Sequence, residues 1–374
     1  MAHGALTQER HWRAATLIVH IDPDPYRGVS VALAPAWDTG AMPDLLLLRT
    51  PSANRVYAGE SATLSAAELE ICAPFAGSIE DVELAGVGYL GFSTPGLSPE
   101  QLETVATQST AFALFERHDD LLRPVALPKV EVLDDDLITI PKYQGKTNEQ
   151  FTRLLLNVTL ASVERPASGP RQVLDPLAGR GTTLSSALLL GHDGYGVDAD
   201  EKAFEQMAAF HKTWLRRKRL KHTADVTPVR RDGKAVGRRF DASIRLEDRT
   251  LQLTSFTGDT RDSADLFGKK KFDAIVTDAP YGVVHGSTTD VRGGGKRDRT
   301  PARLLKDAVG VWASQLMHGG ALGLSWNTFG MPREDLVELL QGAGLTVRTD
   351  GPWERFAHRV DASIRRDLVV AVNP

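Results

Sequence analysis

The sequence predicts an α/β protein: a doubly wound, mostly parallel sheet over residues 141–374, preceded by an α+β domain over residues 1–140. Three observations carry this expectation. From Val173 onward, strand-like and helix-like patterns alternate, which is how parallel βαβ units read in a sequence. The first unit runs Val173-Leu174-Asp175-Pro176-Leu177-Ala178-Gly179-Arg180-Gly181-Thr182-Thr183, a hydrophobic strand ending in an acid, then a glycine-rich turn feeding a helix. A later unit, Phe272-Asp273-Ala274-Ile275-Val276-Thr277-Asp278-Ala279-Pro280-Tyr281-Gly282, ends an apolar strand in an acid, a proline and an aromatic.

At 374 residues the chain exceeds one ordinary core, so two domains are expected. The sheet elements follow in order. Strands are expected near 172–174, 195–197, 251–256, 272–277, 321–325, 345–348 and 367–372, and helices over 183–190, 201–219, 263–267, 303–317 and 333–342. No convincing helix lies between Leu345 and Val372, which suits an antiparallel hairpin at the sheet edge. Alternations around 240–246 and 250–253 read as a hairpin joined to the basic helix before them. Residues 283–303 form a long glycine-rich, basic loop directly after the second motif, placed to act as a substrate-gripping lid. In the first domain, alternating runs at 15–21, 45–48 and 86–92 read as strands and 99–116 as a helix, with the acidic, strand-poor stretch 130–140 as the joint. Asp22-Pro23-Asp24-Pro25-Tyr26 is read as an ordinary proline turn.

Hydrophobic residues at 42% and charged residues at 25% fit a soluble globular protein. No apolar stretch approaches a membrane span and no secretory signal is evident, so the expected location is cytoplasmic. The lone Cys72 cannot form an internal disulfide, and no Cys/His cluster has metal-ligand spacing, so no metal is expected. The net charge is −4, but residues 1–140 hold 8 Lys/Arg against 20 Asp/Glu, and the remainder 36 against 28. Within 212–239 the cations, Arg216, Arg217 and Arg219 among them, outnumber the acids Asp225 and Asp232. Such a cluster is a candidate phosphate-binding face. Arg292, Lys296 and Arg297 in the long loop are further candidates for gripping a polyanionic substrate.

The two motifs resemble those of class I S-adenosylmethionine (SAM) methyltransferases, whose core is a Rossmann-like, seven-stranded, mostly parallel sheet. Residues 140–374 look like the THUMP-linked tRNA (guanine-N2) methyltransferases, which share Asp-Pro-x-x-Gly-x-Gly-Thr, here Asp175 to Thr182, and Asp-Pro-Pro-Tyr-Gly, here Asp278 to Gly282. Ala279 replaces the usual first proline, losing its fixed φ, and residues 1–140 show no recognisable THUMP domain. The resemblance implies SAM as cofactor, and RNA, tRNA foremost, as substrate. It implies that the segment 142–157 packs over the cofactor, with Lys146, Thr147 and Asn148 near its methionine end.

The chemistry of the residues agrees with that resemblance. Gly179 and Gly181, with Pro176 and Ala178 shaping the turn, allow a cofactor to approach bare backbone, and the helix starting near Thr182 aims free amides at a carboxylate. Asp175 can hold an ammonium, Asp198 the ribose hydroxyls and Asp259 the adenine amine. In the second motif an exocyclic amine, a poor nucleophile because its lone pair is delocalised, can donate its hydrogens to Asp278 and to the carbonyl of Ala279. Pro280 shapes the turn and Tyr281 stacks on the base. The same chemistry serves a DNA base, a small molecule or a protein amide. A non-catalytic SAM-fold subunit would tend to lose Asp278, Tyr281 or a glycine, and a nicotinamide dehydrogenase has no use for Asp278 to Tyr281. The sequence leaves the oligomeric state open.

Overall fold

The computed structural model describes residues 17–21, 29–33, 44–52, 55–143, 145–166, 169–231, 233–281 and 301–374, without the side chains of 17–21, 29–33, 55–56 and 231. A short antiparallel pair, β1 (Leu17–Ile21) and β2 (Val29–Leu33), comes first. Next come β3 (Leu45–Arg49), α1 (Arg55–Cys72), β4 (Glu80–Leu84), β5 (Val87–Phe92), α2 (Pro99–Thr107), β6 (Ala111–His118) and β7 (Leu121–Val125). Their five strands form an antiparallel sheet in the order β4-β5-β3-β6-β7.

The helix expected over 99–116 stops early. Ser98 and Gln101 close a capping box at its start, but α2 ends at Thr107. Residues 111–118 instead pair with β3, where Leu47 lies opposite Leu114. Buried Gln108, Ser109 and Thr110 turn the chain between the two, their side chains held by the Thr104 carbonyl, Glu68 and Ser65.

After the short helix α3 (Asp136–Thr139) and the long α4 (Glu149–Ala161), the main sheet begins. Its elements are β8 (Gln172–Asp175), α5 (Thr182–Leu189), β9 (Asp193–Asp198), α6 (Glu201–Arg217), β10 (Lys221–Arg231), β11 (Lys234–Arg245), β12 (Thr250–Thr257), α7 (Ser263–Phe267), β13 (Phe272–Asp278), α8 (Pro301–Gln315), β14 (Leu316–Asn327), α9 (Arg333–Gly342), β15 (Thr346–Val347), β16 (His358–Arg359) and β17 (Arg365–Val372). The strand order is β10-β11-β12-β9-β8-β13-β14-β17-β15, with β16 on β17. The pairs of β8, β9, β12, β13 and β14 with one another are parallel, a doubly wound core. The antiparallel pair expected at the sheet edge forms from β15 and β17, with β15 outermost and β17 entering antiparallel between it and β14.

The expected hairpin forms between β11 and β12, where Arg245 faces Thr250. The extra strand β10 precedes it and was not legible, because its alternation is charged and polar rather than apolar. The lid reading of 283–303 lies outside the described residues as far as 300, as do Gly282, Arg292, Lys296, Arg297 and the proline turn at 22–26 except in part of their flanks.

Central strands read as near-continuous apolar runs because both faces are covered. One face of β13, β14 and β17 packs on α4, through Val276, Ala321, Leu368 and Val370 against Leu154, Leu155 and Val158. Tyr57, Leu64 and Ala67 of α1 belong to the same core, so the acidic first part and the main sheet share buried surface. The other face carries α8 and α9 through Trp312, Val309, Leu336 and Leu340. Among the described residues no helix is long and apolar enough to cross a membrane.

α4 lies so close to β14 that only glycine fits at 323: a Cβ there would stand 1.8 Å from the Thr159 hydroxyl. Gly323→Ala is expected to cost about 1–3 kcal/mol by overpacking, read by urea unfolding, and Thr159→Ala in the same chain should recover part of that loss. An unchanged midpoint for the single variant would contradict this packing.

Candidate active site

The parallel strands end at one edge of the sheet, where the turn after β8 and the end of β13 lie on neighbouring strands. In the first turn Gly179 and Gly181 have φ of 51° and 80°, the left-handed region that favours glycine. The two glycines differ in surroundings. A Cβ on Gly179 would meet nothing within 4 Å, whereas one on Gly181 would stand 2.8 Å from Met207. Gly179 thus leaves open space above the backbone, and Gly181 lets α6 pack close. Gly181 is also the N-cap of α5 and brings no capping side chain, so the first amides of that helix face outward as donors. Ala178 fixes the turn by donating its amide to the Val197 carbonyl at 2.9 Å.

Asp175 is 3% exposed, and its Oδ1 accepts from the Leu177 amide at 3.1 Å and the Thr277 hydroxyl at 2.8 Å. It therefore ties β8 to β13 from inside. Burial pushes its carboxyl up to about 7, against the pull of those hydrogen bonds. Asp198 closes β9; its Oδ2 accepts from the Gly179 amide at 2.6 Å and its Oδ1 from the Asp200 amide at 2.8 Å, while burial raises its carboxyl. Asp259, just past β12, caps a short 3-10 turn and is gripped by Arg261 at 2.9 and 2.5 Å, which lowers its carboxyl. Asp175, Asp198 and Asp259 thus stand at the ends of β8, β9 and β12 around the glycine turn.

The second motif is built around one carboxylate. Asp278 ends β13 beside Ser325 of β14. Its Oδ2 accepts from the Thr147 hydroxyl at 2.5 Å, its Oδ1 from the Ser325 hydroxyl, and the Tyr281 hydroxyl donates to the pair at 2.6 Å. Ala279 is 1% exposed and donates its amide to the Ser325 carbonyl at 2.8 Å, which ties the turn to β14. Pro280 is exposed. Burial, then the Asp278 charge, drives the Tyr281 phenol far above its ordinary range, so it stays protonated and donates to the carboxylate.

Of the segment before α4, Thr147 reaches the site. Asn148 is the N-cap of α4, accepting from the Gln150 and Phe151 amides, and Lys146 turns to the Ile138 carbonyl and Glu149. Thr182 opens α5 and bonds Tyr143 at 2.8 Å. Tyr143 in turn carries the Arg180 guanidinium 4.4 Å from its ring centre. Ser325 and Arg366 are site residues that sequence reading missed. A serine inside an apolar strand and an arginine beside another arginine give no local signal.

The basic cluster divides between two edges. α6 starts at the carboxyl end of β9 and runs 17 residues, about 25 Å at 1.5 Å per residue, back toward the opposite edge. Arg216, Arg217 and Arg219 are exposed there, in and just past the last turn of α6 and so remote from the edge where Asp278 ends β13. The hairpin of β10 and β11 does the reverse. Arg239 pairs with Phe256, and the Arg238 amide donates to the hydroxyl of Thr257, the last residue of β12, so residues 234–236 project past it by roughly 10 Å at ~3.3 Å per residue. Exposed Arg230 and Lys234 lie at that tip, on the site's edge.

No protein-family model matches the chain. No curated protein matches it either. Solved structures similar to it include a precorrin-6y C5,15-methyltransferase from Geobacter metallireducens, 12% identical, over 65% of this chain and 97% of that one, with a TM-score of 0.36. TrmN from Thermus thermophilus is 16% identical over 77% of this chain and 57% of its own, with a TM-score of 0.37. The 16S rRNA N2 G1207 methyltransferase RsmC of T. thermophilus, solved with AdoMet and guanosine, is 17% identical over 80% and 59%, with a TM-score of 0.34.

Asp175 generates a pH signature. Its carboxyl is raised from 3.8 to about 7, so the folded chain keeps a proton that the unfolded chain releases. The stabilisation this lends is full below the unfolded value and is lost as pH rises through about 7. Asp175→Asn carries no such proton, so its stability relative to the wild type should rise between pH 5 and pH 8 in urea unfolding. Parallel curves across that range would refute the assignment.

Proposed function

We propose that the protein transfers a methyl group from S-adenosylmethionine to an exocyclic amine of a nucleobase, guanine N2 in tRNA or another structured RNA foremost. The observation that carries this reading is Asp278: a carboxylate at a strand end, fixed by Thr147 and Ser325, on the strand next to a glycine turn whose helix amides are free. The turn fits the cofactor. Gly179 opens space above the backbone, the start of α5 suits a carboxylate, and Asp198 and Asp259 stand where ribose hydroxyls and an adenine amine are to be met. When bound, SAM supplies an electrophilic methyl group on a sulfonium.

The chain's own task is then orientation. Asp278 accepts the hydrogens of the amine and turns its lone pair toward the methyl carbon, and positioning of this kind supplies most of the acceleration. Thr147 and Ser325 keep the carboxylate from rotating. The Tyr281 hydroxyl occupies the same oxygens, so an incoming amine displaces it and the ring is left to stack on the base. No general base is required, because the cationic product loses its proton after transfer. Arg230 and Lys234 on the projecting hairpin supply phosphate contacts on the same edge. A small-molecule, protein-amide or DNA-base acceptor is the second reading, favoured by the charge balance of 8 Lys/Arg against 20 Asp/Glu over residues 1–140.

Labelled SAM offered with unmodified tRNA, and with duplex DNA in parallel, separates the readings by nucleoside mass spectrometry. N2-methylguanosine in the tRNA is the expected product, and label in neither polymer moves the acceptor to a small molecule or protein. Tyr281→Phe removes the competing hydroxyl but keeps the ring, so acceptor KM should hold or fall. Tyr281→Ala loses stacking of roughly 1–3 kcal/mol, about 5- to 150-fold in kcat/KM. Equal losses in both variants would show that the hydroxyl, not the ring, serves the acceptor.

A further inference from the structure

Building on the acceptor-site reading above, we propose that Arg366 is a positioning residue: its guanidinium is the floor beneath Tyr281 and the lateral restraint on Asp278. Arg366 stands near the start of β17, opposite Asn327 of β14 and so at the edge where Asp278 lies. Positions 368, 370 and 372 of that strand put Leu, Val and Val into the core under α4. Since side chains alternate along a strand, 366 continues this apolar stripe, and a charge there is out of pattern.

Arg366 is only 4% exposed. Asp278 is the one carboxylate within ion-pair range of it among the described residues, with Nη2 4.0 Å from Oδ2, and its buried Nε has no hydrogen-bond partner. Besides that carboxylate it meets the Tyr281 hydroxyl as a hydrogen-bond partner, and a buried guanidinium compensated only this far weakens a fold relative to an apolar residue of its size. What it does have is geometry. Its central carbon sits 4.5 Å from the ring centre of Phe151 and 5.1 Å from that of Tyr281, a stack of ring, cation and ring.

The neighbour across the strand pair, His358, packs on Phe151 and is held neutral by burial, its imidazole lowered to about 4. Arg366 is therefore the cation that faces the carboxylate. When an acceptor amine displaces the Tyr281 hydroxyl, two restraints persist: the plane that seats the tyrosine ring and the charge beside Asp278. Arg366 touches neither reacting atom. It acts through the two residues that do.

The test compares Arg366→Met, which keeps length and removes charge and plane, with Arg366→Lys, which restores the charge alone. The Met variant should lose about 100-fold in kcat, the scale of a misplaced reacting group, with SAM affinity within about threefold and melting temperature unchanged or higher. The Lys variant should recover part of the rate. A merely structural arginine would lower the melting temperature and SAM affinity together and leave kcat intact, which overturns the proposal. A wild-type protein that transfers no methyl group sinks the methylation reading instead, so a second readout needs no turnover. In protein labelled with 3-fluorotyrosine, the Tyr281 fluorine signal, assigned by its loss in Tyr281→Phe, should shift in Arg366→Met. An unmoved signal means that Arg366 does not seat the ring.

Discussion

Three segments distant in sequence converge with the local turn on the Asp278 carboxylate, and the rest of the site takes its place from that convergence. Thr147 arrives from the loop before α4, Ser325 from β14, Tyr281 from the turn itself and Arg366 from β17. An ionised carboxylate accepts up to about four hydrogen bonds, and here protein hydroxyls take up most of that capacity. The arrangement resists rotation, and in the proposed reaction the Tyr281 hydroxyl is the partner that departs to make room for an amine.

That convergence depends on a sheet buried on both faces. β13 and β14 run parallel, with Asp278 opposite Ser325, because apolar runs of that length find cover from α4 on one side and α8 with α9 on the other. α4 does double duty. Its start carries Asn148 as cap and Phe151 beneath Arg366, and its last turn packs onto the glycine at 323 through Thr159. The first part of the chain is fastened to the same core through Tyr57, Leu64 and Ala67 of α1, so its acidic surface is carried close to the main sheet rather than on a free tether.

The main sheet was legible because its strands are apolar runs separated by amphipathic helices, and α7 and α9 fall where their patterns place them. Where packing rather than periodicity decides, the sequence was silent or misleading. Residues 108–116 continue a helical pattern, but β3 offers them a partner and they leave the helix for the sheet. β10 is polar on its exposed face and reads as a charged coil. Arg216, Arg217 and Arg219 stand out by charge, but their charge pattern does not reveal that a 17-residue helix carries them away from the edge at which Asp198 ends β9. Asp278 and the glycine turn carry their chemistry in local spacing. Ser325 and Arg366 carry theirs only through the strand register that brings them to Asp278.

The central claim is that cofactor cradle and acceptor carboxylate are separate parts of one site. Calorimetric titration of SAM into the wild type, Gly179→Val and Asp278→Ala tests it directly. Valine at a position with φ of 51° is strained and fills the open space, so Gly179→Val should lose SAM binding, whereas Asp278→Ala should bind within severalfold of the wild type. Absence of binding to the wild type, or loss of binding in Asp278→Ala with Gly179→Val unaffected, would contradict the account.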